Sequence, residues 1–162
     1  MVVVVKKAYK MENIQISKYQ AGQENDISRL IRKVYDEFVA KDYTNDGNLF
    51  FYDWILPSRI AERQRLQNNI LVAMVDKAIA GMIEIRDINW ISLLFVDKSF
   101  QGQGIARMLF QESLSNSLNL DPRIEIFHVH ASPFSIPAYM KLGFIAIDSM
   151  QETHGINTYL WK

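Results

Sequence analysis

The chain has 162 residues, 49% of them apolar and 22% charged, and its eighteen basic and eighteen acidic side chains cancel. That length suits one domain with one core, and the even charge excludes the electrostatic footprint of a nucleic-acid or acidic-membrane partner. The absence of cysteine excludes disulfides, thiol nucleophiles and cysteine metal sites, and is compatible with a reducing cytoplasm.

Residues 1–10 open with four valines after Met1, followed by Lys6 and Lys7. The apolar run is too short to span a bilayer, and its charges follow it instead of preceding it as in a signal peptide. We read it as a disordered leader or extension, with Met11 a plausible start, and residues 11–162 as a single domain. Ile14 and Ile16 alternate with Gln15 and Ser17 in a first strand. Ile27, Leu30, Ile31, Val34, Tyr35, Phe38 and Val39 then repeat at helical spacing, with Asn25 or Asp26 able to cap the start. After the turn-rich segment 42–47, Asp46 can cap a short helix to Leu56, and Pro57 opens a second through Leu66, since proline is tolerated at helix starts. The rings of Tyr43, Phe50, Phe51, Tyr52 and Trp54 in this stretch can pack against a sheet or line a pocket.

Strand signals follow at 70–75, 78–86 and 90–96, joined by short turns that imply an antiparallel meander. The third strand runs through a loop with Gly102 and Gly104 into a helix ending near Asn119, where Ile105, Met108 and Leu109 form the buried side. A strand over 124–130 lies beyond it, made parallel to the preceding one by the intervening helix. A short helix over 135–141 and strands over 144–149 and 156–161 complete the chain.

A strand that ends in a glycine turn and opens a helix presents unpaired N–H groups at the helix's positive end, a ready anion site. Spacing eliminates two phosphate motifs. The dinucleotide fingerprint would need glycine where Arg107 stands, and the P-loop would need Gly-Lys-Ser/Thr where Gly104 is followed by Ile105-Ala106. The run Gln101, Gly104, Ala106 instead resembles motif A (Q/R-x-x-G-x-G/A) of the GNAT superfamily, the acetyl-CoA-dependent N-acetyltransferases. Downstream, Ala131 to Phe144 resembles that superfamily's motif B, with Tyr139, Leu142, Gly143 and Phe144 matching its Tyr-x-x-Leu-Gly-Phe ending.

The resemblance implies an α/β fold: a mixed, mostly antiparallel sheet of six or seven strands flanked by about four helices, in which a parallel strand pair splays apart. It implies acetyl-CoA as co-substrate and no metal. The backbone at Leu94, Phe95 and Val96 would pair with pantetheine, and the Val96 N–H can support the thioester oxygen. Gln101, Gly102, Gln103, Gly104, Ile105, Ala106 and Arg107 would hold the pyrophosphate, mainly through main-chain amides. Arg107 adds charge there or is simply solvated. Where some subfamilies have an asparagine touching the pantetheine this chain has Pro133, so Ser132 or the backbone would substitute.

Tyr139 matches the frequent general acid, or is a core aromatic. A phenol, with a reference pKa near ~10, is protonated at neutral pH and can donate to a leaving thiolate. The base is where the sequence departs, because Trp90 stands where many members carry glutamate. His128, on the strand before motif B, is the first substitute, since an imidazole with a reference pKa near ~6.5 can accept a proton at neutral pH. Glu84 is the second. Both His128 and His130 can equally meet solvent or a local hydrogen bond. The implied activity is acetyl transfer from acetyl-CoA to a primary amine by direct attack, in the cytoplasm. The acceptor would be a small molecule or peptide, a small amine being favoured, and the resemblance leaves a homodimer open. The alternative is a catalytically silent acyl-CoA-binding sensor or interaction module.

Overall fold

The computed structural model describes residues 13–153 and 156–162; the leader read over residues 1–10 lies outside them. The helix α1 (Glu24–Phe38) follows the strand β1 (Ile14–Lys18), and buries Ile27, Leu30, Ile31, Val34 and Tyr35 as the spacing requires. Its start differs from the expected cap at Asn25 or Asp26. The N-cap is Gln23, two residues before Asn25, and it makes no side-chain cap bond, while the Glu24 carboxylate accepts from Gly22 N and Tyr19 Oη, each at 2.8 Å. The helix α2 (Asn45–Trp54) is capped by Thr44, not Asp46: Thr44 has the extended backbone an N-cap needs, and its Oγ1 accepts from Gly47 N at 3.1 Å. Pro57 opens α3 (Pro57–Gln67).

The strands β2 (Ile70–Val75), β3 (Ala78–Arg86) and β4 (Trp90–Val96) form the expected meander, turning at Asp76-Lys77 and Asp87-Ile88, all four with positive φ. Then come α4 (Ile105–Leu120), β5 (His128–Ala131), α5 (Ile136–Leu142), β6 (Ala146–Thr153) and β7 (Ile156–Trp161). The strand expected over 124–130 begins only at His128. The reason is pairing: β4 starts at Trp90, and His128 is the first residue for which it supplies a partner.

The seven strands lie in the order β1-β2-β3-β4-β5-β7-β6, antiparallel except for β4 beside β5. The sheet therefore carries the mixed, mostly antiparallel architecture read from the sequence, with five α-helices among the described residues. One face holds α4 and α5 over Ile83, Ile85, Ile91, Val129 and Ala131. The other holds α1 to α3 over Ile70, Val72, Met82 and Leu93.

Gly81 sets how close α4 comes to the sheet. A Cβ there would meet Ile105 Cγ2 at 3.0 Å, Phe95 O at 3.1 Å and Leu109 Cδ1 at 3.3 Å. Gly81 is also paired with Val96, the last residue of β4. Its missing side chain thus seats the first turn of α4 directly against the end of that strand. Gly81→Ala is expected to cost about 1–3 kcal/mol through overpacking against backbone, measured as a lowered urea midpoint at unchanged slope; an unaltered midpoint would mean that α4 shifts freely.

Candidate active site

The strands β4 and β5 pair at only two positions, Trp90 with His128 and Ile91 with Val129. Beyond Ile91, β4 continues for five residues against β3 alone. Its other edge, which includes Leu94, Phe95 and Val96, has no strand partner among the described residues. This is the splay implied by the resemblance, and it leaves strand polar groups turned toward a wedge between β4 and β5.

The loop that follows β4 is tied at several points. Asp97 N donates to Ala80 O at 2.8 Å. The Asp97 carboxylate accepts from Lys33 Nζ of α1 and from Ser99 N, each at 2.8 Å. Burial alone would raise its pKa, but the Lys33 and Ser99 donors outweigh that and hold it below the ordinary carboxylate value. Gln101 Nε2 donates to Val96 O at 3.0 Å, and Gln103 Nε2 to Ser99 O at 3.3 Å. These two side chains fold the loop back on its own backbone.

The amides they frame are free. Among the described residues no acceptor pairs with the amides of Gly102 to Arg107, and the first bonded amide is Met108, which donates to Gly104 O at 3.0 Å. Gly104 is the N-cap at φ +83°, a left-handed conformation costly for any residue with a Cβ, and the space such a Cβ would enter is open. Six successive amides at the positive end of a sixteen-residue helix make an anion cradle. Arg107 is exposed at the start of α4, and its Nη2 donates to Lys141 O at 3.0 Å, joining the start of α4 to the end of α5.

Side-chain alternation puts the two proposed proton carriers on opposite faces of the sheet. Tyr139 is buried among Ile105, Leu109, Ala131 and Phe144 on the α4 face, edge-on to Phe144 at 5.5 Å. Burial pushes its phenol well above the ordinary value, and no protein group hydrogen-bonds its hydroxyl. On the α1–α3 face, His128 stacks on Trp90 at 4.6 Å and 24°. Its Nδ1 is enclosed without a hydrogen-bond partner among the described residues. Glu84 is placed on this face too, but is 2% exposed and held by Arg63, whose Nε and Nη2 reach its two oxygens at 2.9 and 3.1 Å. Gln64 Nε2 adds a third donor at 3.4 Å. A carboxylate so committed is a structural anchor between α3 and β3.

Ser132 lies just past β5, and its Oγ donates to Ser135 Oγ at 3.0 Å while Ser135 Oγ donates to Ser132 O at 2.9 Å. Tyr43 hydrogen-bonds the Ser132 side chain from the far rim; burial is the main reason its phenol is raised to about 12. Part of the aromatic stretch packs, as the first of its two readings has it. Phe51 stacks on Tyr35 at 3.9 Å and Tyr52 meets that ring edge-on at 5.7 Å, as packing. Phe50 and Trp54 face outward, and Arg63 sits 4.2 Å over the Trp54 ring.

Sequence reasoning missed Arg63, the Gln101 bond to Val96 and the Arg107 bond to Lys141, because each joins residues that no local spacing connects. The one available signal was the need of a buried Glu84 for a cation. A cavity of about 350 Å³ beside Asn68, Ile88 and Ser113 lies at the opposite end of β3 and α4 from the loop. Among the described residues no group of three or more His, Cys, Asp or Glu could hold a metal, and no helix is long and apolar enough to cross a membrane.

Comparison with known proteins follows this geometry. The model of an acetyltransferase (GNAT) domain matches residues 39–159. No curated protein matches. Among solved structures, a GCN5-related N-acetyltransferase from Rhodopseudomonas palustris superposes with a TM-score of 0.74 at 17% identity, covering 95% of this chain and 98% of that one. The PaiA N-acetyltransferase from Thermoplasma acidophilum, in complex with coenzyme A, gives 0.70 at 15% identity, with 92% and 98% covered. Spermidine N-acetyltransferase from Vibrio cholerae, in complex with CoA and spermine, gives 0.65 at 16% identity, with 93% and 94% covered. With the family's domain matched over most of its length and the splayed sheet in place, the chain belongs to the GNAT acetyltransferase family.

Proposed function

We propose that the protein is an N-acetyltransferase that moves an acetyl group from acetyl-CoA to a small primary amine. The observation that carries this reading is the unpaired edge of β4 running straight into six free amides: one continuous main-chain surface suited to an extended amide arm that ends in a pyrophosphate. Acetyl-CoA would supply an acyl thioester that is already activated, so no metal or covalent nucleophile is called for.

This chain's residues do the rest. Leu94, Phe95 and Val96 offer strand groups to the pantetheine amides; Val96, six residues along β4 from Trp90 and so about 20 Å from the level of His128, serves the arm and not the reacting carbonyl. Gly102 to Arg107 direct amides and helix dipole at the pyrophosphate, Gln101 fixing their approach through Val96 O. Ser132, backed by Ser135 and Tyr43, borders the arm from the β5 side. His128, stacked on Trp90 with an uncommitted imidazole, takes the proton from the acceptor amine. Tyr139, across the sheet, holds a phenol whose raised pKa keeps it protonated until it gives its proton to the departing sulfur. Glu84 orients α3 and is not needed as a base. With an even overall charge, the whole molecule has no large field to draw a polyanion-bound acceptor.

Acetyl-CoA at about a hundred times its Kd should stabilise the fold by about 2.7 kcal/mol, read as a raised melting temperature. Gly104→Val, which forces a β-branched residue into the left-handed N-cap and fills the cradle, should abolish that rise; undiminished binding would remove the loop from the site. Tyr139→Phe should change stability by less than about 1 kcal/mol, because its hydroxyl has no protein partner to orphan, yet lower kcat by about 10²-fold or more at unchanged donor affinity. Unchanged turnover would reduce the ring to packing.

His128→Ala should cost at least about 10²-fold in kcat/KM and remove an enzyme-borne rising pH limb. A limb that moves with the amine's own pKa and survives the substitution would eliminate the histidine. Acetyl-CoA binding without thiol release for any amine would convert the reading to a silent binding module.

A further inference from the structure

The acceptor face of the wedge has a floor built across three strands. Arg86, Trp90 and His128 stand in register on β3, β4 and β5. The Arg86 guanidinium lies 5.0 Å from the Trp90 ring centroid, and His128 and His130 stack on that ring at 4.6 and 5.4 Å. Neighbouring strands are about 4.8 Å apart, so the outer two members of this row are separated by roughly 10 Å at the backbone. That is the span of a small molecule, with the outer edge of the indole between the two polar ends, its faces being covered by Arg86 and the two histidines.

The charge on this floor is positive. Glu84, the buried carboxylate of the same face, has both oxygens taken by Arg63. Arg86 has a salt bridge of 3.5 Å to Asp87, with both side chains about half exposed, so its fork is open to a better partner. His130 reports the field: burial, then Arg86, then His128 lower its pKa. What disfavours a second cation on His130 disfavours a cationic tail on an acceptor as well. A polycation would have to rely on the α1–α2 connection, where Asp36, Glu37 and Asp53 are already paired with Arg32, Lys98 and Arg59, with Asp42 and Asp46 remaining.

We propose that the acceptor is a small amine that also carries a carboxylate, bound with the carboxylate on Arg86, an apolar body across Trp90 and the amine at His128. This rests on the acetyltransferase reading above and narrows it. Trp90, which displaces the family's glutamate, is on this account a platform for the acceptor. Arg86 determines specificity through a bidentate, charge-assisted pair.

The test uses two matched pairs of acceptors, 4-(aminomethyl)benzoate with benzylamine and 6-aminohexanoate with pentylamine, together with spermidine. Thiol release is followed at saturating acetyl-CoA, and acetyl-CoA binding is measured separately by calorimetry. The carboxylated member of at least one pair should exceed both its partner and spermidine in kcat/KM by tenfold or more. In Arg86→Gln the ratio within that pair should fall about tenfold, through KM for the carboxylated member. Preference for spermidine or for the uncharged amines, a ratio unmoved by Arg86→Gln, or no turnover of any acceptor despite acetyl-CoA binding would each overturn the proposal. Failure to bind acetyl-CoA would overturn the acetyltransferase reading itself.

Discussion

Two parallel strands that begin as neighbours lose each other after two residues, and most of this molecule follows from that parting. Strand polar groups are strong hydrogen-bonding partners, and leaving a row of them without strand partners is costly unless water or a ligand meets them. Within the sheet the loss falls where β4 and β5 part, on β4 beyond Ile91 and on β5 beyond Val129. Everything around the β4 edge keeps it open: Gly81 draws α4 in beneath the end of the strand, and Asp97 anchors the loop to α1. Gln101 occupies the Val96 carbonyl so that the chain turns at once into the amide cradle. The result is a continuous main-chain groove with little side-chain chemistry of its own.

Side-chain chemistry is divided by the plane of the sheet. Tyr139 belongs to the α4 face and is kept protonated by burial among apolar neighbours. Trp90, His128, His130 and Arg86 belong to the other face, where stacking replaces hydrogen bonds as the means of orientation. Such a division suits a reaction that removes a proton on one side of a bound thioester and delivers one on the other. It also explains how Glu84 can share a face with His128 and still be unavailable: its two oxygens complete the cation environment of Arg63, which in turn holds the Trp54 carbonyl and ring.

Much of this was legible in the sequence, for reasons that can be stated. Alternation and helical spacing located the meander and α1 because each of those elements buries one face of its own. The glycine pair before α4 marked the strand-to-helix turn because both residues take positive φ there. What escaped was long-range. The late start of β5 depends on where β4 begins, 38 residues earlier by subtraction of Trp90 from His128. The cap of α2 at Thr44 depends on backbone angles that Asp46 does not have to adopt. The bond from Arg107 to the Lys141 carbonyl at the end of α5 joins residues 34 apart, which no local pattern announces. The pairing of Arg63 with Glu84 crosses two elements, and only the packing of α3 onto β3 reveals it.

The central claim is that the unpaired β4 edge and the α4 amides form one ligand surface. The most direct measurement is a titration of the ¹⁵N-labelled protein with coenzyme A, followed by amide chemical shifts. The account predicts saturable shifts, with a single Kd, at the amides of Gly102 to Arg107 and along Leu94 to Val96. Shifts absent from both segments, or limited to one of them at saturation, would contradict it.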